Sequence, residues 1–160
     1  NNFPAKLHKI LSSPQYSHII TWMPHGRAWK ILHKELLVSM VVNTYFGQTR
    51  FASFNRQLSN WGFKRMHQFG ADYACYYHEC FLRGIPRLTR LMRRVSSNRG
   101  KFKPDAEGEP NFYQISSKYP LSDPVEHAHR PRASDGISTE AEADITSHPN
   151  ASPQKKDSLR

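Results

Sequence analysis

Between Gly47 and Gly62 runs Arg-Phe-Ala-Ser-Phe-Asn-Arg-Gln-Leu-Ser-Asn-Trp (50–61), and no other stretch constrains the fold as much. At about 100° per residue, Phe51, Phe54, Leu58 and Trp61 fall within an arc of about 80°, which must face a core. Arg56 stands opposite the centre of that arc, flanked by Ala52, Ser53, Ser59 and Asn60, with Gln57 nearer the boundary. A helix face of small and polar side chains with one central guanidinium can approach base edges closely. Arginine donates two parallel hydrogen bonds to O6 and N7 of guanine, a contact that discriminates by about 1–3 kcal/mol. Periodicity alone leaves a merely solvated face as the alternative.

The flanking sequence supplies a scaffold for such a helix. Phe3, Leu7, Ile10 and Leu11 recur at helical spacing behind Pro4, which predicts a helix over 4–12. Residues 18–23 and the alternating Trp29 and Ile31 predict a strand hairpin turning at Pro24-His25-Gly26-Arg27. Leu37, Met40, Val41 and Tyr45 form the stripe of a second helix from Lys34 to Tyr45, ended by Gly47. Thr49 is the N-cap expected for the third. Helix, short turn and helix outline a helix-turn-helix. Beyond Gly62, residues 63–66 and 73–81 predict two strands joined by a loop, the outline of a wing. Leu88, Leu91, Met92 and Val95 then predict a helix over 87–95, with Arg83, Arg87, Arg90 and Arg94 along a basic side.

Charge divides the chain. Residues 1–103 hold 17 Lys and Arg against three acids, Glu35, Asp72 and Glu79, whereas residues 104–160 hold six against ten. A basic module favours a polyanionic partner, nucleic acid before membrane. No apolar run approaches the roughly 20 residues that span a bilayer. The chain opens Asn-Asn-Phe-Pro, with neither an initiator Met nor a hydrophobic leader, and reads as cut from something longer. After about Lys103 the sequence carries seven of the eleven prolines and no apolar periodicity. Such a segment cannot bury enough surface to offset the entropy of ordering it. The expected organisation is a folded module over 1–96 and a disordered Pro/Ser/acidic tail over 97–160.

Residues 51–65, Phe-Ala-Ser-Phe-Asn-Arg-Gln-Leu-Ser-Asn-Trp-Gly-Phe-Lys-Arg, closely resemble the recognition-helix signature of the heat shock factor family. Phe3-Pro-Ala-Lys-Leu-His-Lys-Ile-Leu resembles that family's opening helix. Ile20-Thr-Trp22, Gly26 and Trp29-Lys-Ile31 resemble its first hairpin, Tyr45-Phe46 the end of its second helix, and His78-Glu-Cys-Phe-Leu-Arg-Gly84 its last strand and the exit from it. The resemblance covers about residues 3–95. It implies an α+β fold, a winged helix-turn-helix in which a three-helix bundle is capped by a small four-stranded antiparallel sheet. It also implies recognition of inverted repeats of a GAA-containing unit in double-stranded DNA, hence a nuclear transcription factor, with the basic stretch 83–103 a loose candidate import signal. Arg56 would contact guanine, with Ser53, Asn55, Gln57, Ser59 and Asn60 at or near the DNA. Lys64, Arg65 and Arg83 are the candidates for phosphate, contacts that set affinity and register. In the family the wing tends to meet a neighbouring domain, so residues 67–75 are the expected homo-oligomer contact, unless a region outside this chain provides it. Asn55 stands where an apolar residue is usual, Ser59 where Asn is usual, Gly47 where a basic residue is frequent and Glu79 where Pro is usual. The family's heptad coiled coil has no counterpart through Arg160.

Cys75, His78 and Cys80, with His67 nearby, invite a zinc reading. The spacing Cys-x2-His-x-Cys fits no common structural zinc pattern, and successive strand residues alternate faces. Two cysteines make no disulfide framework and suit a reducing compartment. His127, His129 and His148 read as solvated. With no phosphate loop, nucleophile elbow or carboxylate pair, catalysis is the least supported class. No cofactor, small-molecule substrate or membrane is expected. The alternatives to sequence-specific binding are a basic module that grips nucleic acid without base readout, and a protein-interaction module that kept only the fold.

Overall fold

A computed structural model describes residues 2–95 and 107–122. All of them belong to the first of two compact units, which runs from Asn1 to Glu126. Most of the segment expected as a tail, its histidines and the end of the basic stretch 83–103 lie outside the described residues.

Helix α1 (Phe3–Leu11) starts with Pro4 in its first turn and buries Phe3, Leu7, Ile10 and Leu11. A 3-10 turn (Pro14–Tyr16) leads into strands β1 (Ile20–Trp22) and β2 (Ala28–Ile31), antiparallel with Ile20 opposite Ile31 and Trp22 opposite Trp29. Their turn passes through Gly26 at φ +69°. A Cβ there would come within 3.0 Å of the Arg83 Cβ, so glycine is required by both conformation and space.

Helix α2 covers residues 34–46 and widens to a π-helical stretch over Leu37–Val42. That widening rotates the stripe. Helical spacing predicts Met40 inside, but Met40 is 46% exposed and Val42 is fully buried beside Leu37 and Val41. Gly47 ends α2 at φ +62° and Gly62 follows α3 (Phe51–Asn60) at φ +76°, both in the left-handed region. The N-cap of α3 is Arg50, not Thr49, and its side chain makes no capping bond. Strands β3 (Lys64–Arg65) and β4 (Tyr76–Tyr77) complete one antiparallel sheet in the order β1-β2-β4-β3. They are far shorter than the alternation predicts, because the chain between them turns through Gly70 and through Ala74 at φ +64°. Pro86–Leu91 is a 3-10 helix and Met92 is already extended, so no α-helix runs over 87–95. In place of the predicted stripe, Met92 and Thr89 are buried while Leu91 and Val95 are exposed.

Three helices and a four-stranded antiparallel sheet make the winged helix-turn-helix that the sequence implies. The main core lies between helices and sheet. Trp29 is fully buried and stacks on Tyr76 at 4.9 Å, and Phe63 meets Phe81 edge to face at the same distance.

Residues 107–122 differ from expectation. Where the sequence predicts disorder, Asn111 caps helix α4 (Phe112–Lys118) by accepting the Gln114 N–H, and the segment packs as a strap on the outer face of the sheet. Phe112 joins Ala28, Met66 and Cys75 in a second apolar cluster and stacks on the His25 ring at 5.2 Å. Arg27 donates to Ser116 Oγ and to the Tyr119 carbonyl. Periodicity misses the strap because only Phe112 is buried along it and Ile115 is half-buried. Phe112→Ala should therefore lower unfolding free energy by about 3 kcal/mol, the lower end for a buried Phe, in a urea melt of the whole chain. No loss of stability would mean that the strap does not pack.

His8 sits between the rings of Trp22 and Phe81 at 5.3 and 5.4 Å and donates its Nε2–H to the Leu82 carbonyl at 2.9 Å. Burial holds its pKa below the ordinary 6.5, the backbone bond opposing only in part. The sign follows from linkage. The neutral ring is the native form, so its contribution is present above 6.5 and lost as pH falls through the lower folded value. Burial holds His78 down in the same direction. The melting temperature should fall from pH 7.5 towards 5 (roughly the window histidines govern), and His8→Gln, which can still donate to Leu82, should flatten the fall. An unchanged slope would remove His8 from the account.

Candidate nucleic-acid interface

Helix α3 is held by its inner face. Phe54 and Leu58 are 0% and 1% exposed, and Phe51 and Trp61 are half-buried against the main core. The Phe54 ring lies 5.7 Å from both Phe3 of α1 and Phe46 of α2. This packing fixes the rotation of α3. Ala52, Asn55, Arg56, Ser59 and Asn60 are exposed, and Ser53 and Gln57 are half-buried at the margin. The Arg56 guanidinium has no hydrogen-bond or ion-pair partner among the described residues.

Among the predicted contacts, Asn55 and Gln57 are held by side chains from other parts of the fold. Asn55 Oδ1 accepts the Tyr76 hydroxyl at 3.2 Å, which ties the exposed edge of α3 to β4. A polar residue at 55 thus has a structural use in this chain. Gln57 Oε1 accepts from the Arg94 guanidinium at 3.1 Å, and that guanidinium also lies 5.7 Å from the centre of the Trp61 ring. The Val95 N–H donates to the Asn60 carbonyl at 2.9 Å, so the extended segment after Met92 closes over the end of α3. It delivers Arg94 to the interface, a residue absent from the predicted set. A helical reading of 87–95 puts Arg94 on a general basic side; the extended backbone places it beside Gln57.

The register of β3 separates the phosphate candidates. Arg65 pairs with Tyr76 and Lys64 with Tyr77, and paired residues share a sheet face. Arg65 therefore lies on the Tyr76 side, with α3 and Asn55. Lys64 lies on the opposite side, where with Arg27, Tyr77 and Phe112 it lines a cavity of about 360 Å³ under the strap. Arg83 is placed elsewhere again. Its N–H donates to the Gly26 carbonyl at 2.8 Å, at the β1–β2 turn. The structure thus gathers Arg56, Arg65 and Arg94 around α3, and it puts Lys64 and Arg83 with the outer sheet face and the first hairpin.

The loop between β3 and β4, residues 66–75, is anchored. Asp72 is buried and accepts from His25 Nε2 at 2.9 Å, while His25 Nδ1 accepts the Arg27 N–H. Phe69 is 87% exposed and stacks on Tyr73 at 4.9 Å. Cys75 belongs to the second apolar cluster, where burial pushes its thiol up to about 11. Among the described residues, no three His, Cys, Asp or Glu side chains group as a metal would require.

A family model for HSF-type DNA-binding matches residues 3–95. Heat shock factor protein 4 of Canis lupus familiaris is 29% identical over 118 residues, covering 66% of this chain and 24% of the relative. Heat stress transcription factor C-1b of Oryza sativa subsp. japonica is 30% identical over 111 residues, covering 67% of this chain and 43% of the relative. The chain thus spans well under half the length of either. Among solved structures, Chaetomium thermophilum Skn7 with HSE DNA superposes with a TM-score of 0.53 at 28% identity, over 59% of this chain and all of Skn7's crystallised chain. With α1, the β1–β2 hairpin, α3 and β4 all inside the matched segment, the chain belongs to the HSF-type DNA-binding family.

Proposed function

We propose that the chain is a sequence-specific DNA-binding transcription factor that reads GAA-containing sites in the major groove through α3, and that it acts in the nucleus. The observation that carries this reading is the placement of Arg56, exposed and without a partner among the described residues, at the middle of the outward face of a helix whose inner face is locked. Arg56 donates to guanine O6 and N7. Ser53, Ser59 and Asn60 are short enough to lie against bases or phosphate. Gln57 and Asn55 border the face and are steadied by Arg94 and Tyr76. Arg65 and Arg94 take the phosphates on either side, a contribution that weakens with salt. The family match and the HSE-DNA complex of Skn7 support the same ligand. The family is one of DNA-binding domains, not of enzymes, and no described helix is long and apolar enough to cross a membrane. A homo-oligomer would form through the loop 67–75 or through a region outside this chain.

A fluorescence-anisotropy titration at ~0.15 M salt tests the reading, with a duplex of inverted GAA units against a scrambled duplex of equal composition. The native chain should prefer the GAA duplex. Arg56→Ala should weaken that duplex by about 1–3 kcal/mol, roughly 5- to 150-fold, and leave the scrambled one nearly unchanged. Equal weakening of both would reduce Arg56 to a general phosphate contact.

A further inference from the structure

Strand β3 is two residues long and lies at the edge of the sheet, paired on one side only. So short a strand does not hold its own position. Yet it carries Arg65, and its partner strand carries the Tyr76 hydroxyl that holds Asn55. The backbone just past β3 is gripped from outside the family-matched segment. The Glu109 carboxylate, its side chain only 4% exposed, accepts the backbone N–H of His67 at 2.7 Å on one oxygen and that of Gln68 at 2.8 Å on the other. His67 Nδ1 lies 3.3 Å from the first oxygen. Just before these amides, Met66 is buried with Cys75, Ala28 and Phe112. Two of the contacts that hold the wing root, those of Glu109 and Phe112, therefore come from the strap.

We propose that Glu109 is a positioning residue for DNA recognition. The strap clamps the two amides after β3 and so fixes the strand that presents Arg65 and the β4 hydroxyl that steadies α3. The chain of contacts is continuous: Glu109 to His67 and Gln68, Met66 to Cys75 and Ala74 by one backbone bond each, Tyr76 to Asn55. A carboxylate suits the clamp because two backbone donors point at it from adjacent residues. Burial alone would raise the Glu109 carboxyl, but those donors and His67 hold it below its ordinary range, so the charged form is the bound one. The strap lies on the opposite sheet face from α3, and its effect on DNA passes through the sheet. The proposal rests on DNA reading by α3.

The test uses the whole chain with Glu109→Ala and, because alanine leaves two amides unsatisfied and could cost folding, also Glu109→Gln, which keeps the shape and one acceptor. Two quantities are read: hydrogen exchange at the His67 and Gln68 amides, and affinity for the GAA and scrambled duplexes. Exchange should quicken by about tenfold or more in Glu109→Ala and by less in Glu109→Gln. Affinity for the GAA duplex should fall by about three- to tenfold, with a smaller loss for the scrambled duplex, whose phosphates Arg65 also meets. Faster exchange with unaltered GAA affinity would make the clamp purely structural and overturn the proposal, as would unaltered exchange. If the native chain showed no GAA preference, the parent reading itself would fail and this coupling with it, whatever the amides did.

Discussion

The burial of Phe54 is the contact on which the rest of this domain depends. Its ring is shielded completely among Phe3 from α1, Phe46 from α2 and the neighbouring Phe51. One side chain thereby ties three helices together and sets the rotation of α3. Two residues further along, the backbone has turned by about 200°, and Arg56 points away from the core. Leu58 repeats the constraint one turn later, so rotation about the helix axis would uncover two fully buried side chains. Burying such a side chain stabilises by about 1.5–3 kcal/mol, which makes the outward position of Arg56 a consequence of packing.

Around this fixed helix, polar contacts do the finer positioning. Asn55 to Tyr76 joins the helix edge to the sheet, and Gln57 to Arg94 joins its other margin to the segment after Met92. Each is a single exposed or half-buried hydrogen bond with a net worth of about 1 kcal/mol. Their value is in direction: they hold side chains that border the outward face, while Arg56 has no partner among the described residues. The strap works in the same way at longer range, covering Met66, Cys75 and Ala28 and clamping the amides that come after β3.

The helix that matters most was the most legible in sequence, because its signals are local. Gly47 and Gly62 mark its limits through positive φ, and four aromatic or aliphatic residues at helical spacing define its inner face. Other errors trace to geometry that spacing does not encode. A π-helical stretch moves Val42 in and Met40 out. A 3-10 helix with an extended exit brings Arg94 to α3, where an α-helix would have spread it along a basic side. Adjacent Lys64 and Arg65 look equivalent as letters, and only the pairing with Tyr77 and Tyr76 sends them to opposite faces. The strap was invisible to periodicity because it docks through Phe112, the Glu109 carboxylate and two bonds from Arg27.

We propose that the Arg56 guanidinium reads one guanine. Replacing that guanine in the GAA unit by 7-deazaguanine removes the N7 acceptor without altering pairing, and both duplexes are titrated with the native chain and with Arg56→Ala. The base change should weaken the native chain by about tenfold, as the loss of one good hydrogen bond to a charged donor should. It should make no difference to Arg56→Ala, because the contact is already gone. Equal losses in the two proteins would show that another group reads the guanine and would contradict the assignment.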